Sequence, residues 1–215
     1  MTRIRVGLVD DQALFRAGIR MLISSQPDLE CVGEASDGYE AITMVAAARP
    51  DVVLMDLRMP VMDGIESTRS ILSGRDQKLP RIVVLTTFDL DEAAARAIRA
   101  GASGFVLKDA EPEFLLAAIR TVHAGTSVIA ASATRELFEH FGSAPSQRPP
   151  EFDTLTARER EIFSRAARGL SNAEIARCEF LSEATVKTHV SRILSKLGLR
   201  DRVQLVVFAY ENGLA

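Results

Sequence analysis

Along residues 1–125 two spacings of apolar residues alternate. Short, continuously apolar runs stand at Ile4–Val9, Val52–Met55, Ile82–Leu85 and Gly104–Leu107, with a weaker run at Cys31–Ala35. Runs of that length suit strands covered on both faces of a parallel sheet. Helical periods fill the intervals, near residues 12–25, 38–48, 63–74, 91–100 and 112–124. Pro112 suits a first helical turn, where its missing N–H costs nothing. Gly101 suits a helix end, because glycine adopts positive φ without strain. Strict alternation of strand-like and helical segments predicts an α/β doubly wound parallel sheet of five strands. A further short helix is expected near 131–141.

The stretch Gly142-Ser143-Ala144-Pro145-Ser146-Gln147-Arg148-Pro149-Pro150 has no apolar period and reads as a linker. This places one domain at 1–125, a linker helix and Pro-rich linker at 126–150, and a second domain at 151–215. The second domain reads as helical throughout. Thr156 with Glu159 and Ser171 with Glu174 fit capping boxes, and Ser182 is a third N-cap candidate. Helices are expected at 157–168, 172–179, 183–197 and 201–211, a small all-α four-helix domain, with Gly169 and Gly198 at helix ends.

Composition changes this picture little. The chain has 215 residues, 47% hydrophobic and 26% charged, ordinary for a globular protein with room for two small domains. No apolar run reaches the roughly 18 residues of a membrane span. The first apolar run ends in Asp10-Asp11, unlike a signal peptide. Cys31 and Cys178 stand far apart without other ligands nearby, which fits packing roles in a reducing cytoplasm rather than zinc or a disulfide. Residues 151–215 hold ten Lys/Arg against nine Asp/Glu, and the first 150 hold sixteen against twenty. The informative feature is local: residues 184–200 carry four basic groups and no acid.

In a doubly wound sheet, chemistry gathers at the carboxyl ends of the strands. Here those ends carry Asp10-Asp11, Asp56, Thr86 and Lys108. Clustered carboxylates repel one another unless a cation neutralises them, and all-oxygen ligation suits Mg²⁺. A magnesium ion beside a hydroxyl and an ammonium forms a phosphoryl clamp, and a carboxylate within it can act as nucleophile. Taken singly, each acid could merely end a strand or cap a helix; the full set in matching positions argues otherwise.

Val9-Asp10-Asp11, Leu54-Met55-Asp56-Leu57-Arg58-Met59-Pro60-Val61-Met62-Asp63-Gly64, Leu85-Thr86 and Gly101-Ala102-Ser103-Gly104-Phe105-Val106-Leu107-Lys108 resemble the receiver domain of bacterial response regulators over roughly residues 3–122. The resemblance implies the flavodoxin-like strand order 2-1-3-4-5. It implies that Asp56 takes a phosphoryl group from a sensor histidine kinase. It also implies Mg²⁺ on Asp11, Asp56 and the backbone carbonyl of Arg58, with Asp10 holding the metal mainly through water. Lys108 would pair with the phosphoryl group, Thr86 would swing to hydrogen-bond it, and Phe105 would follow inward. Phe105 stands where the family often has tyrosine, and Asp109 where many receivers have proline.

In the second domain Val186, Val190, Ile193, Leu194 and Leu197 share one helical face, while Lys187, Thr188, Ser191, Arg192 and Lys196 lie mostly on others. A helix pinned by one face and presenting hydroxyls and cations on another suits the major groove. Leu155-Thr156-Ala157-Arg158-Glu159-Arg160-Glu161, Leu170-Ser171-Asn172-Ala173-Glu174-Ile175-Ala176, Thr185-Val186-Lys187-Thr188-His189-Val190 and Lys196-Leu197-Gly198-Leu199-Arg200-Asp201-Arg202 resemble the LuxR-type helix-turn-helix over roughly 152–213. Joined to a receiver, this resembles the NarL/FixJ group. The resemblance implies a recognition helix at 183–197, with Lys187, Thr188 and Ser191 facing bases and Arg192 and Lys196 facing phosphates. It implies a dimerising last helix, 201–211; by spacing, Val203, Val206, Val207 and Tyr210 form a stripe there that could pack only on the recognition helix but is expected to be shared with a dimer contact, Val206 and Tyr210 being the exposed members. Glu179 falls where the family usually has a buried leucine; it is expected to turn outward while Phe180 or Leu181 fills the space.

The resulting expectation is a transcription factor that binds double-stranded DNA as a homodimer and is switched by phosphorylation of Asp56. An aspartate-nucleophile phosphohydrolase is the alternative from another class. Such enzymes commonly carry a second acid two residues after the nucleophile, and here that residue is Arg58. A third reading is a DNA-binding protein indifferent to phosphorylation, which the complete acid, Thr86 and Lys108 set disfavours.

Overall fold

The structure is a computed structural model that describes residues 3–74, 79–87, 92–125 and 149–214. Its contacts divide the chain into two units that part at residues 128 and 129. The predicted helix at 131–141 and most of the Pro-rich linker lie outside the described residues.

The first unit runs β1 (Ile4–Val9), α1 (Ala13–Ser24), β2 (Leu29–Ala35), α2 (Gly38–Ala48), β3 (Val52–Asp56), α3 (Gly64–Leu72), β4 (Arg81–Thr86), α4 (Glu92–Arg99), β5 (Gly104–Leu107) and α5 (Pro112–His123). The five strands are parallel, in the order β2-β1-β3-β4-β5. Successive residues of the central strands serve opposite faces. Val6, Leu8, Leu54, Val83 and Leu85 pack with Ile23 of α1 and Leu115, Leu116 and Ile119 of α5. Val9, Val53, Met55 and Ile82 pack with Ala41 of α2 and Ile71 of α3. All five residues of β3 are buried, which explains its unbroken apolar run. Each of its apolar side chains, Val52 to Met55, contributes about 1.5–3 kcal/mol on leaving water.

Helix starts follow local chemistry. The Asp37 carboxylate accepts the Tyr39 and Glu40 N–H groups at the head of α2, and Asp63 accepts from Glu66 N–H at the head of α3. Pro112 opens α5, as expected. Among the described residues no peptide bond is cis, and Lys108–Asp109 is trans, as a bond not followed by proline ordinarily is.

The second unit has a short 3-10 helix (Pro150–Thr154), then α6 (Ala157–Ala167), α7 (Asn172–Glu179), α8 (Glu183–Lys196) and α9 (Arg202–Glu211). Both expected capping boxes form, Ser182 caps α8 and Asp201 caps α9. Gly169 and Gly198 adopt positive φ after α6 and α8. The core joins Phe152, Ile162, Phe163, Ile175, Val186, Val190, Ile193 and Leu205. Phe163 meets Phe152 and Phe208 edge-on, with centroids 5.0 and 6.2 Å away.

Two expectations are corrected here. Glu179 does not turn outward: its side chain is 11% exposed, paired with Arg158 at 2.5 Å and Arg165 at 3.2 Å. Arg158 also donates to the Glu179 carbonyl at 2.8 Å, closing the end of α7. Leu181 joins the core, but Phe180 is 96% exposed with φ of 55°. Two guanidiniums compensate the acid, so an apolar filler is not required. Val206 is likewise not exposed: Val203, Val206 and Val207 are buried, and Tyr210 is half-buried. Leu205 and Ala209 seat α9 on the core, and a helix apolar on several sides is covered on several sides.

Candidate functional site

The carboxyl ends of β1, β3, β4 and β5 bring together the predicted residues. Asp10, Asp56 and Thr86 are buried and Asp11 is exposed. The Lys108 ammonium lies 2.7 Å from Asp10 and 2.8 Å from Asp56. Asp56 also accepts the Arg58 N–H at 3.2 Å, and Asp10 accepts the Gln12 N–H at 2.9 Å. Lys108 N–H donates to the Thr86 carbonyl at 2.7 Å, tying the ends of β4 and β5 together. Phe105 is half-buried and packs against the group of Leu57, Ile65, Val84 and Ala97.

Burial raises the pKa of Asp56, and the lysine and the Arg58 amide offset this only in part. For Lys108, burial acts to lower the pKa, but the hydrogen bonds it donates to Asp10 and Asp56 outweigh it, so the ammonium is held above its usual range. A desolvated carboxylate beside a fixed cation is arranged for attack on a phosphoryl group whose charge that cation can share.

Asp10, Asp11 and Asp56 offer carboxylate oxygens within 4.8 Å of one another. A cluster of hard oxygen donors fits a divalent ion such as Mg²⁺ and offers nothing to a soft metal.

Three further residues support the pocket. Arg16 of α1 donates to the Asp10 carbonyl and so holds the turn that presents both acids. The Phe15 ring lies 4.9 Å from the Lys108 ammonium. Gly64 lies so close to β3 that a Cβ there would stand 1.9 Å from the Asp56 carbonyl oxygen. Only Gly64 carried a signal, as the glycine closing the Met-Pro-Val-Met-Asp-Gly run; Arg16 and Phe15 look like ordinary helix residues.

In the second unit, α7 and α8 meet through a short turn. Val186, Val190, Ile193 and Leu197 are buried, while Lys187, Thr188, Ser191 and Arg192 stand exposed along the opposite side of α8. Lys196 is exposed as well but differs in its partners: its ammonium lies 2.7 Å from a Glu159 carboxylate oxygen and 3.1 Å from the Thr154 carbonyl. Among the described residues, no helix is long and apolar enough to cross a membrane.

Sheet order, acid pocket and lysine define a response-regulator receiver, and the second unit has the build of a helix-turn-helix. The family model for the response regulator receiver domain matches residues 6–120, and that for bacterial regulatory proteins of the luxR family matches 153–209. The chain is 44% identical to the uncharacterized transcriptional regulatory protein YxjL of Bacillus subtilis, over 99% of this chain and 97% of that protein. It is 41% identical to the DNA-binding transcriptional activator DevR/DosR of Mycobacterium tuberculosis, over 97% and 94%. Among solved structures it resembles the response regulator ChrA of a heme-sensing two component system, at 37% identity, TM-score 0.53 and full coverage of both chains. The chain belongs to the NarL/LuxR-type response regulators. It joins a receiver to a LuxR-type DNA-binding domain, and its homologues are transcriptional regulatory proteins of two-component systems.

Proposed function

We propose that Asp56 is the phosphoryl acceptor of a sensor histidine kinase, and that its phosphorylation switches DNA binding by the second domain. The observation carrying this is the Lys108 ammonium held 2.8 Å from the buried Asp56 carboxylate. An Asp56 oxygen attacks the phosphorus of a phosphohistidine, the P–N bond breaks, and the imidazole leaves. Lys108 then pairs with the new phosphoryl oxygens. Thr86 turns to hydrogen-bond one of them, and Phe105 follows into the space vacated beside β4. Both states of this pair pre-exist, and the phosphoryl group favours one of them.

Asp10, Asp11, Asp56 and the Arg58 carbonyl would hold Mg²⁺. When bound, the ion neutralises the negative charge that converges on Asp56. On this reading the protein accepts a phosphoryl group without turning over a substrate. The absence of an acid at Arg58 supports that over a phosphohydrolase.

The receiver spans 1–125 and the DNA-binding domain 151–215, joined through 126–150. Lys187, Thr188 and Ser191 face bases and Arg192 faces phosphate in the major groove. A homodimer reads a two-fold site. This reading carries a cytoplasmic location with it, because DNA and phosphorylated kinase domains meet there.

The test is labelling with acetyl phosphate. The parent chain is expected to label in Mg²⁺, and Asp56→Asn to lose the label, because an amide is not a nucleophile here. Excess chelator is expected to abolish labelling of the parent. Full labelling of the variant at another residue, or undiminished labelling in chelator, would overturn the assignment.

A further inference from the structure

The basic groups of the second unit divide into those that face outward and those engaged by the protein itself, and Lys196 belongs to the second kind. One Glu159 carboxylate oxygen accepts three hydrogen bonds: from Thr156 N–H at 2.8 Å, from the Thr156 hydroxyl at 3.0 Å, and from the Lys196 ammonium at 2.7 Å. Glu159 is the third residue of α6, inside the capping box, and its side chain is 5% exposed. Lys196 is the last residue of α8, and its second bond goes to Thr154, the last residue of the 3-10 helix. Thus one ammonium ties the final turn of α8 to the start of α6 and to the segment before it.

We propose that Lys196 is a positioning residue, whose bond to the buried Glu159 sets the angle at which α8 enters DNA, rather than a contact to DNA phosphate. The other end of α8 is fixed by Ser182, whose hydroxyl accepts the Thr185 N–H at 3.1 Å. Between these ends Val186, Val190 and Ile193 seat the helix on the core. With both ends fixed, Lys187, Thr188 and Ser191 are held at a single depth and angle. Swinging Lys196 out to a phosphate would leave the covered Glu159 carboxylate with its two Thr156 bonds but without the Lys196 charge. An exposed contact to DNA returns less than that loss. The inference rests on the reading of α8 as the recognition helix.

The test uses the full chain and two DNA duplexes. One is selected by the parent protein from a random pool; the other is of arbitrary sequence. Lys196→Met keeps the apolar stem and removes the charge. It is expected to lower the selected-to-arbitrary affinity ratio by about ten-fold, a loss the size of one good base contact. The slope of affinity against salt on the arbitrary duplex should remain that of the parent. A slope shallower by about 1, with equal losses on both duplexes, would mark a lost phosphate contact and overturn the proposal. So would an unchanged ratio. Should Lys196→Met fail to fold, side-chain NMR of labelled lysines in the parent decides. The Lys196 signal is expected to stay in place on adding the arbitrary duplex while that of Lys187 moves; joint movement would overturn the proposal. Lys187→Ala provides the separate check on α8: if it leaves the ratio untouched, the recognition-helix reading fails, whatever Lys196 does.

Discussion

Val61 sits between β3 and α3 with φ of 69°, and it is 82% exposed. Met62 N–H donates across it to the Pro60 carbonyl at 2.8 Å, a tight turn of the rarer, positive-φ kind. For a β-branched residue that conformation is strained. Val61→Gly should release about 1–3 kcal/mol of strain and cost about 0.5–1 kcal/mol of added chain entropy. The expected outcome is a receiver stabilised by about 1 kcal/mol, read as a higher midpoint for its unfolding transition. A lower midpoint would show that neighbouring contacts, not the backbone, govern this turn. The opposite case lies three residues on. Gly64 was legible from the sequence because it closes the motif, and the contact with the Asp56 carbonyl supplies its reason. Val61 was not legible, because valine is among the residues least expected at positive φ.

Helix starts and stops were readable because their chemistry is local. A capping box needs residues only three apart, and both expected boxes formed. The inward seat of Glu179 was missed because its partners are distant, Arg158 by 21 residues and Arg165 by 14. A signal did exist: Arg158 and Arg165 are seven apart and share one face of α6. These ion pairs give the second unit an acid-sensitive seam. The Lys196 bond, outweighing burial, holds the Glu159 carboxyl at about 2 against an ordinary 4.5. Arg165 and then Arg158 hold Glu179 below its usual range. A carboxyl depressed in the folded state stabilises fully above its unfolded pKa and loses that contribution as pH falls through the folded one. Stability of the second unit should therefore decline as pH drops from about 4.5 to about 2. Chemical denaturation of the full chain at several pH values in that window checks this. Glu159→Gln should start lower and decline less steeply; an identical slope in the variant would assign the acid sensitivity elsewhere.

At the scale of the molecule, the five-stranded parallel sheet agrees with the alternation of apolar runs, and its strand order with the receiver resemblance. Assembly was harder to foresee. An apolar stripe on a last helix reads equally well as a dimer contact or as packing, because spacing reports which residues share a face and not what covers them. In the structure the valines of α9 are already covered. Val206→Glu should accordingly lower the unfolding midpoint of the second unit before it affects any pairing of copies, since it forces an unpaired charge into an apolar site. Circular dichroism during thermal unfolding, beside sedimentation of the folded fraction, separates the two effects. Intact helix signal and an unchanged midpoint with weakened dimerisation would return this face to the interface.

The seat taken by Glu179 has a consequence for the protein in concentrated solution. With the acid turned inward, the next side chain, Phe180, stands in water at 96% exposure on the tip of a turn, and its left-handed backbone adds cost without packing in return. Phe180→Asn is expected to dissolve to a higher concentration than the parent; an equal limit would show that a single exposed ring costs nothing here. Asparagine tolerates the same backbone and prefers water. The handling properties of the purified protein are therefore open to adjustment at a single position, with the ion pairs beneath it left in place.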